Sequence, residues 1–166
     1  MPARPYVTAV RAAAGVALAA WLVVLTVTLL SPSAAGPSWL VETTAVAMDR
    51  FGVPEALAAT SRVEFGLNVV AFVPLSLLGT AVWPMSTWRD WTAVGFAASF
   101  FVEVVQAVAL DGRSATHSDV VANTLGASVG AVLALTFAAR LRDARSERRP
   151  DLADRNPSTE ELHSPR

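Results

Sequence analysis

Four long apolar runs dominate the sequence and limit the folds that the chain can adopt. They cover residues 12–30, 65–83, 91–110 and 119–139. Each run is close to the length of about 20 helical residues that is needed to cross the hydrocarbon core of a bilayer. Because unpaired backbone groups are costly in lipid, runs of this kind are expected to be helical. The pattern therefore predicts an all-α integral membrane bundle of four transmembrane helices.

Composition agrees with a membrane protein of one domain. Hydrophobic residues make up 53% of the 166 residues, which is more than an ordinary soluble domain contains. The chain has no cysteine, and this excludes disulfides, thiolate nucleophiles and cysteine-based metal sites. We expect neither a cofactor nor a nucleic-acid partner.

The first apolar run has a second interpretation, as a signal peptide. Arg4 and Arg11 would form its basic region, and Ser33-Ala34-Ala35 would offer small residues for cleavage. Its apolar stretch is longer than the roughly 7–15 residues of a typical signal peptide. We therefore favour a retained transmembrane helix.

The distribution of arginine predicts the orientation. With the N-terminus inside, the cytoplasmic side holds eight arginines in the N-terminal segment, the turn between the second and third runs and residues 140–149, and the two outer loops hold three. The excess of positive charge on cytoplasmic loops then places both termini in the cytoplasm of a bacterial plasma membrane. Residues 1–139 form the membrane domain, and residues 140–166 form a cytoplasmic tail that is first arginine-rich and then disordered.

The segment between the first two runs is too long for a simple turn. Residues 38–51 are predicted to form an amphipathic helix lying at the membrane interface, ended by Gly52 and Pro54. A folded extracytoplasmic cap is the alternative. The residues assigned to its apolar side are Leu40, Val41, Ala47, Met48 and Phe51, and those assigned to its polar side are Glu42, Thr43, Asp49 and Arg50.

Most polar residues of the membrane segments are expected to lie toward the outer face. At about 1.5 Å of rise per residue, Gln106 and Glu103 lie about 6 and 10 Å below the outer end of the third run. Asn68 lies near the outer end of the second run, and Asn123 is about 6 Å below Asp119 in the fourth. Arg113 and His117 belong to the outer loop, from which the Arg113 guanidinium can reach Glu103. These residues predict one polar cluster in the outer leaflet.

Each of these residues also has a structural explanation. Glu103 could be protonated or form an ion pair, while Asn68, Gln106 and Asn123 could form interhelical hydrogen bonds. Asp119 could complete a capping box opened by Thr116. His117 and Asp119 alone make a poor metal site, so no metal is expected.

Three further residues have structural interpretations. Pro74 is expected to kink the second helix and free a carbonyl for a neighbour. Gly126 and Gly130 form a small-residue ridge on the fourth helix. The ridge is expected to pack within the bundle, with self-association of the chain through the same face as the alternative.

These residues together resemble a known family. The second run contains Asn68-x-x-x-Phe72-x-Pro74-Leu75, and the third contains Glu103-x-x-Gln106 followed by Arg113. The fourth contains Asp119-x-x-x-Asn123-Thr124-Leu125-Gly126-x-x-x-Gly130. Order, spacing and placement resemble the signature of VanZ-like membrane proteins over roughly residues 64–135. The chain departs from the family pattern at Ser76, where glycine is common, and at Thr116, where an acidic residue is common.

The resemblance implies a link to glycopeptide resistance of the teicoplanin type, without an agreed mechanism. Our first hypothesis is that the cluster binds an anionic lipid or a lipid-linked cell-wall precursor. Arg113 would contact its phosphate, and the binding residues would be Asn68, Glu103, Gln106, Arg113, Asp119 and Asn123. A second hypothesis is an intramembrane enzyme in which Glu103 and Asp119 act as general acid and base. A third is a non-catalytic membrane assembly partner.

Overall fold

The computed structural model describes residues 5–31, 35–109 and 117–153. The regular elements in this part of the chain are all helices: α1 (Pro5–Leu30), α2 (Ala35–Arg50), α3 (Glu55–Ala58), α4 (Thr60–Val82), α5 (Trp88–Ala109) and α6 (His117–Ala153). Among the described residues, four stretches are long and apolar enough to cross a membrane: Tyr6–Leu30, Thr60–Val82, Trp88–Val108 and His117–Ala144. The predicted all-α bundle of four transmembrane helices is confirmed.

The helices extend beyond several of the predicted boundaries. α4 begins at Thr60, before the first residue of its apolar run, and α6 continues through the arginine-rich segment to Ala153. Charged and small residues can continue a helix beyond the apolar run that crosses the membrane. The remaining part of the predicted tail, residues 154–166, lies outside the described residues.

The core of the bundle is formed by α6 between α4 and α5, with α1 packed on the other side of α4. Ala122, Ala127 and Ala131 of α6 are completely buried, as small residues at a close helix–helix contact are expected to be. Leu18 and Leu25 of α1 pack with buried residues of α4. The first apolar run is thus part of the packed core, and its retention as a transmembrane helix stays a prediction.

The outward surface of the bundle is apolar. Val16, Val23, Phe96 and Phe101 are all more than half exposed in the isolated chain, so they would face lipid in a bilayer. At the turn between α4 and α5, Trp83 and Trp88 are exposed, as the positions of interfacial aromatics predict. Trp91 differs, since it is buried against Gly79 and donates from its indole nitrogen to Ser86 Oγ at 2.8 Å.

The predicted amphipathic helix is present as α2, but part of its assigned apolar face is not buried. Leu40 and Phe51 are 46% and 87% exposed. Val41 is buried, and Ala45 and Met48, which follow it at the spacing of one helix face, are half-buried. Phe51 lies beyond the helix end, so helical phase does not fix its direction.

Gly52 ends α2 as the sequence predicts. Its φ of 73° lies in the left-handed region, which glycine adopts without steric cost. The Val53 N–H donates to Met48 O at 3.0 Å and the Gly52 N–H donates to Asp49 O at 2.9 Å. This pair of bonds is the Schellman motif, which satisfies the last carbonyls of the helix.

Candidate functional site: a polar cavity at one end of the bundle

A cavity of about 530 Å³ lies at the end of the bundle where α1 ends and α6 begins. Five helices contribute to its wall, namely α1, α2, α4, α5 and α6. The wall includes apolar side chains, among them Trp21, Leu25 and Leu67, beside a set of polar ones. The polar lining residues are Thr28, Ser38, Glu42, Thr60, Glu64, Asn68, Ser99, Glu103, Gln106, Asp119 and Asn123.

One polar contact joins α4 to the first turn of α6. Asn68 Nδ2 donates to Asp119 Oδ1 at 2.7 Å. Since the amide donates to a carboxylate, this bond is of the charge-assisted kind when Asp119 is ionised. It fixes the relative position of two helices at the cavity wall.

A second contact holds α1 in place. Gln106 Nε2 on α5 donates to the backbone carbonyl of Leu29 at 2.7 Å, and Gln106 is only 8% exposed. Leu29 lies in the last turn of α1, whose carbonyls have no partner within the helix. The amide therefore satisfies one of these carbonyls while tying α1 to α5.

Asn123 lies in the buried contact between α6 and α5. Its Nδ2 donates to Ser99 Oγ at 2.9 Å, and the residue is 3% exposed. Within the described part of the chain, its Oδ1 is buried and accepts no hydrogen bond. A buried acceptor without a donor is unusual in a folded protein.

The structure thus brings five of the predicted binding residues to one cavity: Asn68, Glu103, Gln106, Asp119 and Asn123. Glu103 is half-buried in its wall. Arg113 and Thr116 lie outside the described residues, so the expected pairing of Glu103 with Arg113 and the capping box on Asp119 stay predictions. His117, at the start of α6, is exposed and does not line the cavity.

A family model described as VanZ/LLP1 matches residues 15–138, which include most of the first and fourth apolar runs, all of the second and third, and every residue of the cavity wall. The chain belongs to the VanZ/LLP1 family. No curated protein and no solved structure matches it. The matched region includes α1 from residue 15 onward, so for this family member the first helix is part of the domain.

Several cavity residues of this VanZ/LLP1 protein were not predicted from sequence. Ser99 is 1% exposed and holds Asn123, but a lone serine in an apolar run gives no signal that it faces another helix. Glu64 lies near the start of α4, where charged residues are ordinary, and Glu42 was assigned only to the polar side of the interfacial helix. Helical phase offered one clue to Glu64, which is four residues before Asn68 and therefore on the same face.

Pro74 lies inside α4, and its expected kink and freed carbonyl stay predictions. Proline cannot donate to the carbonyl four residues earlier, and its ring disturbs the hydrogen bonds of the preceding turn. The Trp21 indole of α1 donates to Ala71 O in that turn at 3.0 Å. α1 therefore contributes to the cavity wall through an indole and, at Leu29, through a backbone carbonyl, although it carries no charged or amide side chain there.

The Gly126–Gly130 ridge packs inside the chain. Both glycines are buried, and a Cβ at Gly126 would overlap Val69 O, while one at Gly130 would overlap Val73 O and Ser76 Oγ. In the described part of the chain, α4 packs on this face of α6. Self-association through the same face stays untested and would require α4 to move.

Proposed function

We propose that this VanZ/LLP1-family membrane protein binds the polar headgroup of a membrane lipid, or of a lipid-linked cell-envelope precursor, in the cavity between α1, α4, α5 and α6. The observation that carries the proposal is the convergence of polar side chains from separate membrane-spanning helices on one space of about 530 Å³. Polar groups are expensive inside a membrane and commonly mark a substrate or ion pathway.

The size and the mixed wall of the cavity support an amphiphilic ligand. Ligand pockets commonly enclose about 300–1,000 Å³ and combine an apolar lining with a few placed polar groups. Trp21, Leu25 and Val102 supply apolar surface, while Asn68, Gln106 and Asn123 supply amides. A headgroup with its first acyl carbons fits this arrangement better than a wholly polar solute does.

In its full form, the proposal places the cavity in the outer leaflet of a bacterial plasma membrane, with both termini in the cytoplasm. The arginine distribution supports this orientation. In the sequence, Arg113 lies between the cavity residues Gln106 and Asp119. Its guanidinium would bind the phosphate of an anionic headgroup. A protein that binds envelope precursors there would influence susceptibility to glycopeptides of the teicoplanin type.

The enzymatic alternative has one supporting observation, since Glu103 and Asp119 line the same cavity. Two carboxylates in one partly apolar site could divide the roles of general acid and general base. Turnover of an envelope lipid by the purified protein, lost in Glu103→Gln, would support this alternative. Binding without turnover would support the proposal above.

The direct test is native mass spectrometry of lipids that remain bound after gentle extraction. Val102 lines the cavity and is half-buried, whereas Val104 on the same helix is 45% exposed and faces outward. Val102→Trp should reduce bound lipid by filling the cavity, and Val104→Trp should leave it unchanged. Equal lipid retention in both variants and in the wild type would reject the cavity as the binding site.

Two further variants test the residues of the polar cluster. Arg113→Ala and Glu103→Ala should lower lipid retention and alter glycopeptide susceptibility of cells that depend on the protein. If both variants keep the wild-type lipid and the wild-type susceptibility, the role assigned to the cluster is wrong.

A further inference from the structure

A groove of about 420 Å³ lies between α4 and α6, away from the polar cavity. From Asp119, which lines the cavity, to Arg140, which lines the groove, the helical rise of α6 is about 32 Å. The hydrocarbon core of a bilayer is about 30 Å thick, so the groove reaches the opposite face of the membrane from the cavity. The lining residues are Leu77, Leu133, Thr136, Phe137 and Arg140.

The groove wall faces lipid. Leu77, Leu133 and Phe137 are exposed in the isolated chain and belong to stretches long and apolar enough to cross a membrane. The Thr136 hydroxyl bonds to the carbonyls of Val132 and Leu133 at 2.9 and 3.0 Å, so its hydrogen is already used within its own helix. In a bilayer such a wall is covered by acyl chains.

The charged residue of the groove lining is Arg140, at its membrane-surface end. Leu133, Phe137 and Arg140 follow one another at four and three residues, which places them on one face of α6. The guanidinium thus continues the apolar strip at the depth where a lipid headgroup lies. A guanidinium matches a phosphate with two parallel hydrogen bonds.

The charges around Arg140 also favour an anionic ligand. Four more arginines follow on the same helix, and basic segments next to a membrane-spanning helix attract anionic lipids. Asp143 lies one turn beyond Arg140 and is exposed as well. Ion pairs between exposed side chains of one helix are weak, so Asp143 does not prevent Arg140 from binding a phosphate.

We infer that an anionic phospholipid binds in this groove, with an acyl chain against Leu77, Leu133 and Phe137 and its phosphate at Arg140. The apolar wall and the cation at its end fit the two parts of such a lipid. A free phosphate would leave the wall uncovered, and a zwitterionic lipid would bring a second cation beside the arginines. This site is separate from the cavity of the proposed function and does not depend on it.

The test compares phosphatidylglycerol with phosphatidylcholine of identical acyl chains, titrated onto the purified full-length protein and followed by native mass spectrometry. We expect phosphatidylglycerol to bind about fivefold more tightly, the factor that one arginine near a membrane surface contributes. Arg140→Gln should remove this preference. Arg142→Gln changes an exposed arginine of the same helix that does not line the groove, and it should keep the preference.

A second pair of variants tests the apolar part of the groove. Leu133 lines the groove and is 50% exposed, whereas its neighbour Val132 is 46% exposed and does not line it. Leu133→Trp should lower the binding of phosphatidylglycerol by filling the groove, and Val132→Trp should leave it unchanged. Both side chains are on the outer surface of α6, so both variants should fold.

The outcomes separate this inference from the proposed function. Equal binding of the two lipids would overturn the inference, and so would equal loss of the preference in Arg140→Gln and Arg142→Gln, which would indicate diffuse attraction by the arginine segment. Displacement of the lipid by inorganic phosphate would reduce the site to an anion site and also overturn it. A preference that is lost in Val102→Trp and kept in Arg140→Gln would assign the lipid to the polar cavity, against this inference and for the proposed function.

Discussion

The Gln106 side chain of α5 donates to the Leu29 carbonyl of α1 at 2.7 Å, across 77 residues of sequence. This bond links the helix that carries the predicted polar motif to a helix whose sequence carries none of it. Together with the Trp21–Ala71 hydrogen bond, it gives α1 two polar anchors at the cavity wall. Gln106, a residue of the family motif, thus contacts α1 at a backbone carbonyl. Every residue has such a carbonyl, so the sequence of α1 does not show that this contact forms.

Replacing Gln106 with Leu should weaken the attachment of α1. The substitution keeps a similar size but removes the donor, leaving the Leu29 carbonyl in a partly buried position without this partner. Interhelical hydrogen bonds in membranes are worth about 0.6 kcal/mol on average and up to about 1.7 kcal/mol. We therefore expect a loss of about 1 kcal/mol in the free energy of unfolding, measured by denaturant titration in mixed micelles.

The control for Gln106→Leu is Val108→Leu on the same helix. Val108 is 84% exposed, so the change should have little effect on unfolding. If Gln106→Leu and Val108→Leu unfold alike, the contact with Leu29 does not stabilise the bundle.

Gly130→Ala should destabilise the bundle because of the close approach of α6 to α4. The new methyl group would overlap the Val73 carbonyl and Ser76 Oγ, and a backbone carbonyl cannot rotate away as a flexible side chain does. Overpacking of this kind costs about 1–3 kcal/mol. Measurements of unfolding on detergent-solubilised protein would show the loss.

Gly66→Ala is the matched control, since a Cβ at this helical position of α4 meets no atom within 4 Å. Alanine is preferred over glycine inside a helix by about 0.5–1 kcal/mol. This variant should therefore be neutral or slightly more stable. Equal destabilisation by Gly66→Ala and Gly130→Ala would show that glycine acts through flexibility and not through packing.

Much of the architecture was predictable because the bilayer imposes simple rules. Length and hydropathy are sufficient to find the four membrane-spanning helices, and the small-residue ridge at Gly126 and Gly130 identifies the face of α6 that packs closely. The depth of each residue along its membrane-spanning run also predicted that Asn68, Glu103 and Asn123 lie close together. These properties depend on the length of the apolar runs and on the spacing of residues along a helix, and a single sequence shows both.

The remaining details depend on tertiary contacts that leave no periodic trace. Ser99 is a buried partner of Asn123, yet Ser86 of the same residue type lies in the turn before α5 and accepts from Trp91. Likewise, the exposure of Leu40 and Phe51 follows from how α2 docks on α4, because a short amphipathic helix can rotate by one residue at little cost in buried apolar surface.

A double-mutant cycle can measure the coupling between Asn68 and Asp119. Asn68→Leu and Asp119→Leu each break the 2.7 Å hydrogen bond, so their effects on the free energy of unfolding should not add. We expect a coupling of about 1 kcal/mol, between the values for an average interhelical bond in a membrane and a charge-assisted one in water. Unfolding of the wild type, the two single variants and the double variant would provide it.

The control cycle combines Asn68→Leu with Thr92→Ala. The Thr92 hydroxyl bonds to Ser128 Oγ at 2.8 Å and to the Trp88 carbonyl, so it shares no partner with Asn68. These two changes should be additive within about 0.5 kcal/mol. Additivity in both cycles would mean that the Asn68–Asp119 contact contributes nothing to stability.

The start of α5 carries a capping box that the sequence analysis did not identify. Asp90 Oδ2 accepts from the Thr87 N–H at 2.7 Å and from the Thr87 hydroxyl at 2.9 Å, and Thr87 Oγ1 accepts from the Asp90 N–H at 3.4 Å. The predicted box at Thr116 and Asp119 has the same residue types at the same spacing and stays a prediction, since Thr116 lies outside the described residues.

Thr87→Ala should lower the free energy of unfolding by about 1 kcal/mol, the usual cost of losing a helix N-cap. Thr87→Ser keeps a hydroxyl in the same place and should behave nearly as the wild type. Thr136→Ala serves as the control outside a cap, because Thr136 is exposed and its hydroxyl bonds back to carbonyls of its own helix. A stability of Thr87→Ala equal to that of Thr136→Ala would show that α5 begins stably without the box, through the packing of Trp91 alone.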